Sequence, residues 1–206
     1  MAGVAVMQGM DVWLLLLINN GLAHPSLDNV MVALSSHGYL LFFPYLFALL
    51  VLSWKERSAS GASLVKQALI AVLVPVGSFF LADALADSIK PVVARLRPCQ
   101  VIEGVRLLVR CPHSYSMPSG HAISSFAAAS ALFYLSRLSV PLLARCYPLL
   151  LAALIALSRI YLGVHYPSDV IVGALIGSAV AILLSMVSEG LVPCRRERSR
   201  VRQNTR

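Results

Sequence analysis

Charge is what this sequence has least of. Only 13% of its 206 residues are Asp, Glu, Lys or Arg, where a soluble domain carries about 25%. With 58% hydrophobic residues and a mean hydropathy of +0.79, too little polar surface remains to face water. A soluble globular class is excluded. A basic segment ahead of the first apolar stretch and a small-residue cleavage site behind it are both missing, so no cleavable signal peptide is expected. No internal repeat occurs, and low complexity is confined to an arginine-rich end.

What is present is apolar length. A helix crossing the hydrocarbon core needs about 20 mostly apolar residues. Residues 30–54, 64–86, 119–138, 141–162 and 169–191 meet that requirement. Residues 10–24 are apolar but short and interrupted by Asn19 and Asn20, so they form either an interfacial helix or a sixth insertion. Asp11 at the start and Gly21 near the end suit an ordinary capped helix. The expected fold is all-α: a polytopic transmembrane helical bundle of five spanning helices plus a short N-terminal interfacial or sixth helix. It divides into an N-terminal helix (1–25), a membrane domain (26–192) and a basic tail (193–206).

The net charge of +8 sets the orientation. Arg195, Arg196, Arg198, Arg200, Arg202 and Arg206 crowd the tail, opposed there only by Glu197. Directly after an apolar span, such a tail fits an anchor on anionic cytoplasmic lipid better than a grip on nucleic acid. No nucleic-acid partner is expected. Lys55, Arg57, Lys66, Arg137 and Arg145 fall on the same side as the tail if five spans cross, so that side is cytoplasmic. The polar interval 87–118 and the turn before residue 169 then face the periplasm or exterior of a plasma (inner) membrane. Cys99 and Cys111 share that outward interval, where disulfides are permitted. A bridge between them is expected, with two unpaired thiols as the alternative. Cys146 falls in a span and Cys194 in the tail.

Three clusters are out of place in so apolar a chain: Lys90 with Arg97 in KPVVARLRP, Pro118-Ser119-Gly120-His121, and Arg159 with His165 and Asp169 in SRIYLGVHYPSD. Charges near or within spans are costly and mark function. The topology puts all three at the outward helix ends, and their chemistry suits phosphoryl transfer. A phosphate brings nearly two negative charges, which Lys90, Arg97 and Arg159 can neutralise. Arginine's planar fork matches phosphate oxygens in pairs, and lysine acts as a point charge. Ser119 can donate its hydroxyl, and Gly120 lets backbone N–H groups approach at a helix start. Asp169, four residues after His165, can hold that ring in one tautomer for nucleophilic attack. His121 is placed to protonate the leaving group and then activate water. Packing or capping is the competing account of either histidine alone; two histidines beside three cations favour a site.

Other residues are left more open. Arg95 either contacts phosphate or sits in water. Arg106 and Arg110 are expected to be solvated, His113 to cap a loop, and Tyr115 and Tyr166 to be interfacial. Asp83 and Asp87 can pair with local cations.

The order K-x6-RP, PSGH, SR-x5-H-x3-D, complete at every signature position, resembles the tripartite signature of the type-2 phosphatidic acid phosphatase superfamily over about residues 30–191. That resemblance implies a helical bundle needing no metal or other cofactor, with its site at the outer membrane face. It implies His165 as nucleophile, Asp169 orienting it and His121 as general acid. Lys90, Arg97, Ser119, Gly120 and Arg159 would hold phosphate, with Pro118 beside them. The substrate implied is a phospholipid or polyprenyl (di)phosphate. Undecaprenyl diphosphate is favoured, with phosphatidylglycerophosphate, phosphatidate and lipid A as alternatives. Vanadate-dependent haloperoxidases share such an anion cradle but are soluble. A phosphotransferase stays open, and a lipid-phosphate binder or transporter would leave both histidines idle. Oligomeric state is not legible.

Overall fold

A computed structural model describes residues 2–55, 61–138 and 140–190 of the chain. Arg57, Cys194 and the arginine tail lie outside the described residues. Within them the fold is helical, with no strand. Helix α1 covers Ala2–Asn19 and α2 covers Pro25–His37, and a 3-10 turn at Gly38–Leu41 leads into α3, Phe42–Lys55. Helix α4 is Gly61–Val93, α5 a single turn at Pro98–Val101, and α6 Gly120–Leu135. A second 3-10 turn, Ser136–Leu138, precedes α7, Leu142–Tyr161, and α8, Pro167–Gly190.

Four stretches are long and apolar enough to cross a membrane: Pro25–Leu52, Ala68–Val101, Leu142–Tyr161 and Pro167–Ser188. The expected span at 119–138 differs. Helix α6 has 16 residues, or about 24 Å of axial rise against a hydrocarbon core of about 30 Å. Its surroundings explain the short length. From Ala122 to Leu132 nearly every side chain of α6 is buried against α4, α7 and α8, so protein rather than lipid sets its extent. On α8, a Cβ at Gly173 would stand 2.9 Å from the Ser119 carbonyl oxygen, and one at Gly177 would overlap the Ile123 carbonyl. Small residues let two backbones touch, which is how helices associate where lipid competes with every apolar contact.

The outward surface is apolar. Leu69, Leu73 and Phe80 on α4, and Ile171, Leu175, Leu183 and Met186 on α8, are all exposed. Exposed apolar area of that extent needs lipid around it. The protein is an integral membrane protein.

Two expected boundaries move. Helix α4 continues past residue 86 to Val93, so Lys90 stands on a helix rather than in a loop. Charged residues can close a spanning helix where it reaches water. Helix α1 starts earlier than expected and stops at Asn19, so Asp11 lies inside it instead of capping it. Asp11 bonds to Arg95 and Ser168, while Asn19 bonds to the backbone of Tyr161 and Arg106. Tyr161 ends α7 and Ser168 lies in the first turn of α8, so α1 is laid across helix tips at one end of the bundle.

Candidate active site

The same helix tips carry the three clusters. The turn between α7 and α8 depends on Gly163, whose φ of 77° suits glycine and whose missing side chain admits Val105 and the Arg106 carbonyl. That turn presents His165, with Asp169 one helical turn further on in α8. Asp169 is wholly buried, and His165 and Arg97 are 2% and 3% exposed. Charges this dry need partners.

Asp169 has several. Its Oδ2 accepts the hydroxyl of Ser116 and the backbone N–H of Tyr166 at 2.9 Å. Its Oδ1 accepts from Arg95 at 2.7 Å. His165 Nδ1 faces Oδ2 at 3.5 Å, outside hydrogen-bond geometry. On the ring's other side, Arg97 Nη1 is 2.9 Å from Nε2. A guanidinium can only donate, so Nε2 carries the lone pair and Nδ1 the proton facing Asp169. Burial pushes the His165 imidazole down to about 4, against an upward pull from Asp169. The free ring is therefore neutral at ordinary pH, the state a nucleophile needs.

Arg97 is held by four acceptors. Besides His165, its side chain donates to the Ser114 carbonyl at 2.7 Å, Ser114 Oγ at 2.9 Å and the Val164 carbonyl at 2.9 Å. Cys99 and Cys111 are joined by a disulfide with their Cα atoms 6.1 Å apart, so α5 is tied to the strand of loop that carries Ser114.

The second histidine sits differently. His121 Nε2 is 3.2 Å from the carbonyl oxygen of Ser35 on α2. Arg159 donates from Nη1 to the Ser35 hydroxyl, and Arg159 and His165 both stand close enough to His121 to act on its charge. Arg159 Nε and Ser119 Oγ are buried with no hydrogen-bond partner among the described residues. A buried donor left unpaired costs about 1–3 kcal/mol, more when charged, so these groups are poised for an acceptor. Ser119 donates its backbone N–H to the Asp169 carbonyl at 3.1 Å, joining α6 to α8 beneath the site. Pro118 follows a cis peptide bond and is fully buried. Lys90 pairs with Asp87 at 2.7 Å, and its Nζ would stand 3.6 Å from a Cβ on Gly120, so it reaches the start of α6.

The nine residues singled out from the sequence thus gather at one end of the bundle. Tightest is the set Arg97, His165, Asp169 and Ser119; His121 and Arg159 join through Ser35, and Lys90 stands at the rim. Arg95, left open between phosphate and water, bonds Asp169 and Asp11 instead. Arg106, expected in solvent, makes two 2.8 Å bonds to the carboxylate of Asp28, which holds its guanidinium above the ordinary range. Asp87 pairs with a cation as expected, while Asp83 accepts the Ser124 hydroxyl at 3.0 Å. Ser35, Ser114, Ser116 and Ser168 were not foreseen. Among the described residues no three His, Cys, Asp or Glu side chains gather as metal ligands would.

Known proteins share this fold. A family model described as the PAP2 superfamily matches residues 67–191. The chain is 35% identical over 176 residues to an undecaprenyl-diphosphatase of Sulfolobus acidocaldarius, covering 85% of this chain and 77% of that one. It is 38% identical over 130 residues to the decaprenylphosphoryl-5-phosphoribose phosphatase of Mycobacterium tuberculosis, covering 63% and 66%. The crystal structure of Aquifex aeolicus LpxE superposes with a TM-score of 0.62 at 31% identity, over 84% of this chain and 93% of that one. With the signature intact and its residues at one end of a membrane bundle, the chain belongs to the PAP2 superfamily and is a phosphatase.

Proposed function

We propose that this enzyme removes phosphate from a membrane lipid through a phosphohistidine intermediate, with undecaprenyl diphosphate as its substrate. The observation that carries the reading is the 2.9 Å contact from Arg97 to His165 Nε2, which leaves a lone pair beside a phosphate-binding cation in a buried site. When a phosphoryl group enters, Arg97 turns from the ring to the phosphate oxygens. Arg159, Ser119 and Lys90 supply the other donors around the charge that develops on phosphorus. Nε2 attacks; the N–P bond forms as the bond to the leaving oxygen breaks. His121, charged once the anion is bound beside it, gives that oxygen its proton. The positive charge gained by the His165 ring is balanced by Asp169 across Nδ1. Water then attacks phosphorus, passing a proton to His121, and the N–P bond breaks to release phosphate.

The diphosphate reading draws on two sources. The Sulfolobus acidocaldarius relative is named for that substrate. The basic residues Lys55, Arg137 and Arg145 stand at helix ends away from the site, which supports a site facing the periplasm or exterior and a cytoplasmic tail. A polyprenyl carrier is released there as its diphosphate. On this reading residues 1–25 rest on the membrane surface, 26–192 form the catalytic bundle and 193–206 anchor it.

Purified protein in detergent should release phosphate fastest from undecaprenyl diphosphate in a panel that includes phosphatidylglycerophosphate, phosphatidate and lipid A. His165→Ala should lose turnover by about six orders of magnitude, as loss of a nucleophile does. Preference for a monoester would overturn the substrate. Full turnover by His165→Ala would overturn the mechanism.

A further inference from the structure

Behind the groups that meet phosphate lies a second charged network, and it ends on the N-terminal helix. Asp11 of α1 is buried at 7% exposure. Its Oδ2 accepts from Arg95 Nη2 at 2.6 Å and from the Ser168 hydroxyl, and its Oδ1 accepts the Ser168 backbone N–H at 2.9 Å. The other arm of Arg95 reaches Asp169 Oδ1 at 2.7 Å and Ser168 Oγ at 2.6 Å, and its guanidinium lies 3.9 Å above the Tyr166 ring. One guanidinium is therefore shared by two carboxylates, and only one of them faces the nucleophile.

That sharing matters for the charge felt at His165. Facing the ring are Asp169 from α8, Arg97 from the loop before α5 and Arg159 from α7, with His121 of α6 across the pocket. Two of these neighbours are cations, so the one carboxylate must stay strongly negative to favour an imidazolium. Arg95 works against that by neutralising Asp169. Asp11 draws part of the Arg95 charge away.

We propose, building on the phosphohistidine reading, that Asp11 is a positioning residue of the reaction. By dividing Arg95 with Asp169, it keeps enough negative charge on Asp169 to hold the His165 Nδ1 proton and stabilise the ring as the N–P bond forms. It touches neither substrate nor reacting atoms. Its action runs through Arg95, and the N-terminal helix becomes part of the catalytic apparatus.

The sign of each effect follows. In Asp11→Asn the guanidinium turns wholly to Asp169, the imidazolium loses stabilisation, and His165 becomes both less basic and a weaker nucleophile. With the full chain in detergent and undecaprenyl diphosphate as probe, kcat should fall about tenfold, the equivalent of one pKa unit of lost stabilisation. KM should stay within about twofold, and the acid limb of kcat/KM should move to lower pH. Ser168→Ala, which loosens Asp11 while leaving its charge, should shift both in the same direction by a smaller factor. Asp11→Glu should restore the limb. Asn20→Ala removes a 3.0 Å bond to the Gly104 carbonyl from the turn that follows α1 and should leave kcat and limb unchanged. A merely structural Asp11 would lower melting temperature and yield while each folded molecule kept the wild-type pH profile. That outcome in Asp11→Asn, or an unmoved limb in Ser168→Ala if Asp11→Asn does not fold, overturns the proposal. Because His165→Ala is measured alongside, retained turnover there would identify failure of the underlying reading instead.

Discussion

The two halves of the site are built on opposite plans. Around Asp169 every oxygen is used: Ser116, Tyr166 and Arg95 all donate to it, and His165 stands at 3.5 Å. Arg159 Nε and Ser119 Oγ, by contrast, are buried donors with no partner among the described residues. The first half fixes its carboxylate fully, and among the described residues only the His165 Nδ1–H that faces it stays unbonded. The second is an array of donors fixed before anything arrives. Electrostatic stabilisation works best when donors need no reorganisation at the moment of reaction, and nucleophilic attack needs an aligned ring. Each half meets one of these requirements. Binding of an anion should therefore fill the open donors of the Arg159 half and leave the bonds to Asp169 as they are.

Substitution on each side sharpens the contrast. Arg159→Ala removes a donor aimed at developing charge, and kcat/KM should fall by about 10²–10³, the range for one donor of an oxyanion site. Arg159→Lys should recover little, since a point charge cannot reproduce the fork. Ser116→Ala removes one of several bonds to Asp169 and should cost only about tenfold, roughly one pKa unit of differential stabilisation. Steady-state kinetics on the three variants decides. A larger loss in Ser116→Ala than in Arg159→Ala would invert the comparison.

A smaller effect, on the pH profile, tests the Asp169 half directly. His165 acts as the neutral ring, and burial lowers its pKa to about 4. As pH falls from 7 the ring stays neutral until that region, so the acid limb of kcat/KM should lie well below the ordinary histidine value of about 6.5. The substrate's own ionisation near pH 6 is titrated separately in the same detergent and divided out. Asp169→Asn removes the upward pull, so the limb should move lower still while the rate falls. A limb at about 6.5 would mean that His165 is solvated and that the dry half is wrongly drawn.

How far the sequence disclosed these halves follows from chemistry. Lys90, Arg97, Arg159, His121, His165 and Asp169 were conspicuous because charge inside an apolar chain has few structural uses. The order of the spans then put them at one end. Serines outside the Pro118–His121 motif carry no such signal, since a hydroxyl sits as easily on a lipid-facing turn as in a site. Ser35 and Ser116 acquire meaning only from what α2 and the loop bring against them. Arg95 was visible but undecided, because its partner Asp11 lies 84 residues away on a helix whose docking is tertiary. The length of α6 was hidden for a related reason: apolar composition marks burial, and lipid and protein bury equally well. The bridge between Cys99 and Cys111 was legible from compartment alone.

That bridge gives the smallest expected effect on activity, and it tests whether the Arg97 anchor belongs to the fixed half or the open one. The disulfide closes a separation of 12 residues, worth about 3 kcal/mol of stability on loop entropy. Arg97 nonetheless keeps its own bonds to Ser114, Val164 and His165 when the sulfurs part. Cys99→Ser with Cys111→Ser should therefore lower the melting temperature by several degrees and leave kcat within about twofold. Activity and thermal melting of the double variant in detergent are the two measurements. If kcat falls tenfold with melting unchanged, the covalent tie rather than the hydrogen bonds aims Arg97, and the guanidinium must be counted with the open donors around Arg159.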